Sequence, residues 1–189
     1  MAAVQPPWLR SPAARALLAG ALSISLVLGG AFLAVGRLHS SPADLDRPAQ
    51  PVSDEQSESE VVEQARHLVD VAHLEKPTAG YLLMSCKDRD NPPYQGAVYL
   101  NFTVPAAARA DTYFQDIGTA MVEHGWTEGQ ASNQHVFGKT LNKDGVTAIL
   151  YRDDDYPNLG VARLYGQCRN MNDHRRDTTA WVDVTDRVQ

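Results

Sequence analysis

Two acidic segments are the places where this sequence could bind a cation. One is the run of three aspartates at 153–155, and the other holds Asp88 and Asp90 beside Asn91. Calcium and magnesium take several oxygen ligands, commonly from alternating positions of a loop. Consecutive acids point in divergent directions, and basic neighbours at 87 and 89 weaken the alternating site. We therefore predict solvated turns at both places and no metal site.

Patterns that indicate catalysis are absent from the sequence. It has no G-x-S-x-G elbow, phosphate-binding loop, H-E-x-x-H helix or EF-hand. His67 and His73 lie six residues apart, which suits surface or cap positions better than a shared helical face. His124 is expected to cap a helix C-terminus. We predict no catalytic residue and no cofactor, although an enzyme with an unrecognised acid–base pair stays open.

The two cysteines, Cys86 and Cys168, are predicted to form a disulfide. Each closes a predicted strand, and an even number of cysteines favours pairing in an exported domain. The sequence has no C-x-x-C motif and no second pair of ligands, so zinc binding and redox chemistry are not expected. The alternative is a pair of buried thiols in a reducing compartment.

The uncharged stretch at 16–36 is predicted to anchor the chain in a membrane. Its length matches the ~20 apolar residues that cross a bilayer as a helix. Residues 1–15 are then a short cytoplasmic tail and the C-terminal part is extracytoplasmic, as in a single-pass protein of the cell membrane. The lipid bilayer is the predicted partner of this stretch. A cleaved signal peptide, with small residues at 34–36, and a buried soluble helix are the alternatives.

Residues 37–59 are predicted to form an extended linker, and residues 60–189 the folded domain. The linker contains Pro42, Pro48 and Pro51, several serines and an excess of acids. Such a segment buries too little apolar area to offset its ordering entropy, and its like charges keep it extended.

Two helices are predicted in the folded domain. Ser57 and Glu60 match a capping box for the first helix, which is expected to end at Pro77 and Gly80. The second has Pro105 in its first turn and an apolar stripe with helical spacing over 110–124. A C-cap glycine at 125 ends it, and the tryptophan at 126 is expected to fold back on the core.

Strands are predicted at 81–86, 97–104, 135–141, 146–152 and 160–168, with a short final strand at 178–184. In 97–104, Val98, Leu100 and Phe102 alternate with outward residues, as in a sheet with one solvated face. Asp144 and Gly145 predict a tight hairpin. The order predicts an α+β domain with a twisted antiparallel sheet of about five strands and two helices packed on one face.

Two polar segments at strand ends are the candidate interaction surface. They are the loop 87–95 and the turn 153–158, because function tends to lie in such loops. The residues we select there are Asp88, Asp90, Tyr94, Asp154 and Tyr156, with both tyrosines expected to be exposed. An envelope or membrane protein is the possible partner. The net charge of -6 disfavours nucleic acid.

Several segments resemble small exported proteins of actinobacteria, of the mycobacterial type. They are VVEQARHLVDVAHL at 61–74, SC at 85–86, NPPYQGAVYLNFTVP at 91–105 and HGW at 124–126. The resemblance covers roughly residues 57–168. It implies a lipoprotein or single-span membrane protein of unassigned activity. The chain departs from the lipoprotein version because no cysteine follows the apolar stretch closely.

The anchor, the spacer, the compact domain and the missing catalytic motifs together predict a membrane-anchored extracytoplasmic binding or interaction module of the cell envelope. One alternative is a cell-envelope enzyme, which needs acids or an acid and a histidine that converge in a pocket with shifted pKa values. The other is a small-ligand or lipid carrier, which needs an apolar cavity between the helices and the sheet.

Overall fold

The computed structural model describes Pro48 and residues 50–88, 91–130, 135, 137–177 and 181–189. The predicted cytoplasmic tail, the predicted anchor and most of the predicted linker lie outside the described residues. No helix within the described ranges is both long and apolar enough to cross a membrane.

The described domain is α+β, as predicted. Its helices are α1 (Asp54–Ala72), α2 (Ala110–Glu123) and α3 (Thr185–Val188). Its strands are β1 (Glu75–Ser85), β2 (Tyr94–Thr103), β3 (Thr127–Glu128), β4 (Lys139–Lys143), β5 (Val146–Arg152), β6 (Leu159–Tyr165) and β7 (Val182–Asp183). The strands form one antiparallel sheet in the order β3-β4-β5-β6-β2-β1-β7. The short final strand is present as β7, whereas β3 was not predicted because its two residues are too few to show an alternating pattern.

Helix α1 begins earlier than the sequence predicted. Ser53 is its N-cap, where the hydroxyl accepts a hydrogen bond from the Gln56 N–H and Gln56 Oε1 accepts one from the Ser53 N–H. Ser57, the predicted cap, is 2% exposed inside the helix. Both serines fit the capping-box spacing, and the packing of Ser57 against the sheet decides between them. Residues 54–59 therefore belong to the folded part of the chain.

The residues predicted to delimit the helices lie elsewhere. Helix α1 ends at Ala72, with His73 in the left-handed region at φ 49°. Pro77 and Gly80 lie in β1, where a register shift between Glu75 and Thr78 accommodates the proline. Pro105 lies in a turn ahead of α2.

The core lies between the helices and one face of the sheet. The predicted inward residues of β2 are buried, and they meet the predicted apolar face of α1. Helix α2 ends at Glu123, the predicted C-terminal glycine, Gly125, follows with φ 88°, and Trp126 then folds back to 2% exposure, as predicted. The largest fully buried side chains fill this space; among them are Trp126, Phe102, Phe114, Leu68, Leu100 and Met121.

The predicted hairpin and the predicted disulfide are both present. Asp144 and Gly145 join β4 to β5 with φ values of 50° and 81°, as a type I′ turn requires. Cys86 and Cys168 are bonded, with their Cα atoms 6.1 Å apart. Strands β1 and β6 both pair with β2 and run in the same direction, so their C-terminal ends meet at one end of the sheet.

Candidate functional site

An aromatic row crosses the sheet on the face opposite the helices. We use this name for Trp181, Tyr99, Arg163, Tyr151 and His135. The Arg163 guanidinium lies 5.1 Å from the Tyr99 ring centroid and 5.5 Å from that of Tyr151. His135 stacks on Tyr151 at 3.8 Å. Burial is the main cause that raises the pKa of Tyr151, to about 12, so this phenol stays neutral.

One end of the aromatic row opens into a groove beside β7. The groove has a volume of about 460 Å³. Trp181 is 49% exposed and meets the Tyr99 ring at 60°, with the centroids 6.0 Å apart. We call this site the sheet groove; its lining residues are Thr78, Ala79, Gly80, Tyr99, Asn101, Trp181, Asp183 and Thr185.

Gly80 is what lets Trp181 lie against the sheet. A Cβ atom at Gly80 would be 3.2 Å from Trp181 Cβ and 3.3 Å from Trp181 Cε3, tighter than ordinary van der Waals contact. Gly80 pairs with Tyr99 on β2 and with Asp183 on β7. The sheet register therefore brings the glycine, the two aromatic rings and the carboxylate together.

The sequence-predicted interaction residues lie at opposite ends of the sheet. Asp88 follows β1, whereas Asp154 and Tyr156 lie in the turn between β5 and β6. The side chain of Asp88 accepts hydrogen bonds from Asn91. Tyr156 is 64% exposed, as expected. Asp90 lies outside the described residues.

Tyr94 is buried, contrary to the expectation from its neighbouring proline. It is 3% exposed because it begins β2 and pairs with Asn170, and its ring meets His174 edge-on at 4.9 Å. A neighbouring proline predicts a loop, but it does not show whether another segment packs over the aromatic side chain. Here the segment after β6 packs over Tyr94.

Asp54 and His174 form the acid–histidine cluster that an enzyme interpretation would need. Asp54 Oδ1 accepts hydrogen bonds from Asn170 and Asn172, each at 2.7 Å, and lies 3.1 Å from His174 Nε2. Burial alone raises the pKa of Asp54, but the two amides and His174 outweigh it and hold the pKa below its ordinary value. His174 Nδ1 lies 2.6 Å from Asp177. Both ring nitrogens thus face carboxylates, which suits a structural link between α1 and the segment after β6.

The limits of the described domain coincide with a family match. The sequence profile of one family, described as "Putative lipoprotein LppJ", matches residues 53–187, from the N-cap of α1 to α3. The chain belongs to the LppJ family. Proteins with the same description in Mycobacterium tuberculosis (strain H37Rv) and Mycobacterium bovis are 38% identical over 165 residues, which is 86% of this chain and 86% of each relative. No solved structure matches the chain.

The LppJ match confirms the resemblance to exported actinobacterial proteins. It covers the disulfide and every residue that lines the sheet groove. The sequence analysis missed the groove, since Tyr99 was assigned to a solvated strand face and Trp181 to a short final strand with no assigned partner. The available sign was a large aromatic residue on the outward face of one strand and another in the short final strand. In the part of the LppJ-family chain that the structure describes, no three His, Cys, Asp or Glu side chains are grouped to hold a metal ion.

His67 of this LppJ-family domain makes a contact that depends on its protonation. Its Nδ1 lies 3.1 Å from Trp126 Nε1, and because the indole N–H donates, Nδ1 must accept. Partial burial, Lys143 and the neighbouring His124 lower the pKa of His67 below 6.5, while Asp70 opposes them. The neutral form is therefore the one that the folded state favours.

We expect the stability of this LppJ-family domain to fall as the pH drops below 6.5. A histidine whose pKa is lowered by folding binds fewer protons in the folded state, so its stabilisation is present above the unfolded pKa and is lost below it. His67→Gln retains an acceptor for the Trp126 N–H and does not titrate. Urea unfolding between pH 5 and pH 8 should give a shallower acid-side slope for the variant. Equal slopes in both proteins would contradict this role of His67.

Proposed function

We propose that this chain is a membrane-tethered binding module that acts outside the cytoplasm. The description of its LppJ relatives as lipoproteins supports an envelope location. The bridge between Cys86 and Cys168 supports an oxidising compartment. The observation that carries the binding role is the sheet groove, where the half-exposed Trp181 ring meets the Tyr99 ring at an angle. A half-exposed tryptophan beside convergent polar groups is typical of a ligand site.

We assign the membrane attachment to residues 16–36. A bacterial lipoprotein carries its lipid on a cysteine thiol. This sequence of 189 residues has two cysteines, and both belong to the disulfide. The uncharged stretch is the segment that remains suited to hold the chain at the bilayer.

Placing two charges in that stretch tests the assignment. We expect Leu26→Arg/Leu28→Arg to leave the membrane fraction, because each arginine at a helix centre costs about 2.5–3.5 kcal/mol of insertion free energy. Its two cysteines should then stay reduced and react with a maleimide in intact cells, whereas those of the natural protein should be blocked. Fractionation and alkylation followed by mass spectrometry measure both effects.

The matched control is Leu26→Ala/Leu28→Ala, which keeps the stretch uncharged and should behave as the natural chain does. A tag before residue 1 separates an anchor, which keeps the tag, from a cleaved signal, which loses it. A natural chain found in the cytosol with two reactive thiols would overturn the proposal.

A second surface stays a candidate for a protein partner. The turn with Asp154 and Tyr156 lies at the end of the sheet remote from the disulfide, and its tyrosine ring is exposed. An envelope protein could contact this turn while the sheet groove holds a ligand.

The space that a lipid carrier would need is occupied. Helices α1 and α2 pack against the sheet through fully buried side chains, and Trp126, which follows the C-terminus of α2, is buried there as well. Apolar ligands of carriers bind in such a space, so the groove on the opposite face is the better supported site.

A further inference from the structure

We infer that the sheet groove binds a neutral saccharide, an inference that rests on the proposed function of the chain as an extracytoplasmic binding module. The groove combines three properties that a sugar ring needs. It has aromatic walls, a rim of hydroxyl, amide and carboxylate groups, and no basic side chain among the described residues that line it.

The aromatic walls meet at an angle. Trp181 lies against Gly80 and its ring makes an angle of 60° with that of Tyr99. The face of a sugar ring presents C–H groups that pack against an aromatic ring, while the hydroxyls point outward around the rim. Tryptophan and tyrosine suit this arrangement because one part of each is apolar and the other can bind polar groups.

Polar groups stand around these rings where the sugar hydroxyls would point. Asn101 offers both a donor and an acceptor, and the Thr78 hydroxyl can do either, whereas the Thr185 hydroxyl is engaged with the Ala79 backbone. Asp183 accepts a hydrogen bond from the Thr185 N–H at 2.9 Å. That bond and the Thr185 side chain lower the pKa of Asp183, so its carboxylate is an ionised acceptor at neutral pH.

The charge of the groove favours a neutral ligand. Among the described residues that line it, none is basic and one, Asp183, is acidic. The nearby Arg163 is held over the rings of Tyr99 and Tyr151. A phosphate or a uronic acid would meet a carboxylate without a cation to balance it, whereas a neutral saccharide would meet a hydrogen-bond acceptor.

The size of the groove suits a short segment of a glycan. Its volume of about 460 Å³ falls within the range of small-molecule sites. Its open side would let a longer chain continue along the sheet, toward the Tyr99 and Arg163 part of the aromatic row.

The test measures binding of maltotriose, mannotriose and chitotriose to the full-length protein in detergent, with a galacturonic acid trimer as the anionic comparison. We expect at least one neutral trisaccharide to bind, and Trp181→Ala to weaken its binding by about tenfold or more, the equivalent of 1.4 kcal/mol. Trp181→Phe keeps an aromatic wall and should retain most of the affinity. Val122→Ala trims an exposed side chain of α2, on the opposite face of the sheet, and should change nothing.

Circular dichroism on each variant checks that the fold is intact. We expect it to be intact in the Trp181 variants because this side chain is half exposed. Saccharide binding that Trp181→Ala leaves unchanged, or a preference for the anionic trimer, would overturn the inference. Binding of a peptide or a lipid through Trp181 without saccharide binding would overturn it too, but would leave the proposed binding module standing. If neither the saccharides nor a peptide and lipid panel bind through Trp181, both proposals fall.

Discussion

Replacing Gly96 with alanine is expected to lower the free energy of unfolding by about 3 kcal/mol or more, the upper part of the range for overpacking. A Cβ atom at this position would lie 2.2 Å from the backbone oxygen of Ser57 and 3.1 Å from Val61 Cγ2. The obstacle is the backbone of α1, which a rotamer change cannot move. Helix α1 would have to lift from β2, and the contacts of its buried face would loosen.

Gly118→Ala is the matched control, and it should have the opposite sign. Gly118 lies inside α2, and its Cβ would be 3.7 Å from the nearest atom, in the flexible stem of Lys139. Alanine in a helix interior stabilises by about 0.5–1 kcal/mol relative to glycine. Urea unfolding of the two variants measures both effects. Similar midpoints for them would mean that α1 does not approach β2 as closely as described.

Removing the disulfide is expected to cost about 4–5 kcal/mol of stability in the chain-entropy model, since the bridge joins residues 82 apart in sequence. The change is Cys86→Ser/Cys168→Ser. Domains of this size have net stabilities of roughly 5–15 kcal/mol, so the variant should be marginally folded at physiological temperature. The cost arises mainly in the unfolded state, because the crosslink restricts its ensemble.

Chemical reduction provides an independent check of the bridge. Dithiothreitol should lower the unfolding midpoint of the natural protein to that of the double-serine variant, and should leave the variant unchanged. If reduction does not move the midpoint of the natural protein, the bridge contributes nothing measurable to stability.

Much of the fold could be predicted because the patterns are local. The alternation of Val98, Leu100 and Phe102 with polar residues identified β2 and its buried face. Asp144 and Gly145 identified the hairpin because few other residues adopt two successive positive φ values. The start of α1 was missed because two serines have equivalent capping spacing, and only burial of Ser57 distinguishes them from each other.

The candidate site could not be predicted in the same way. The local pattern places Tyr99 on a solvated strand face and Trp181 in a short final strand, and neither pattern shows that the two rings meet. They meet because β1 lies between β2 and β7 in the sheet, so that Gly80 pairs with a residue of each. The buried position of Tyr94 was missed for a similar reason, since the segment that covers it follows β6.

The sequence by itself determined the α+β class, the apolar faces of α1 and α2 and the pairing of Cys86 with Cys168. These follow from periodicity, turn chemistry and cysteine count, all of which are readable along the chain. The tertiary structure alone decided the sheet groove and the links from Asp54 to the segment after β6. The register between strands distant in sequence places those side chains side by side, and that register is set by packing of the whole sheet.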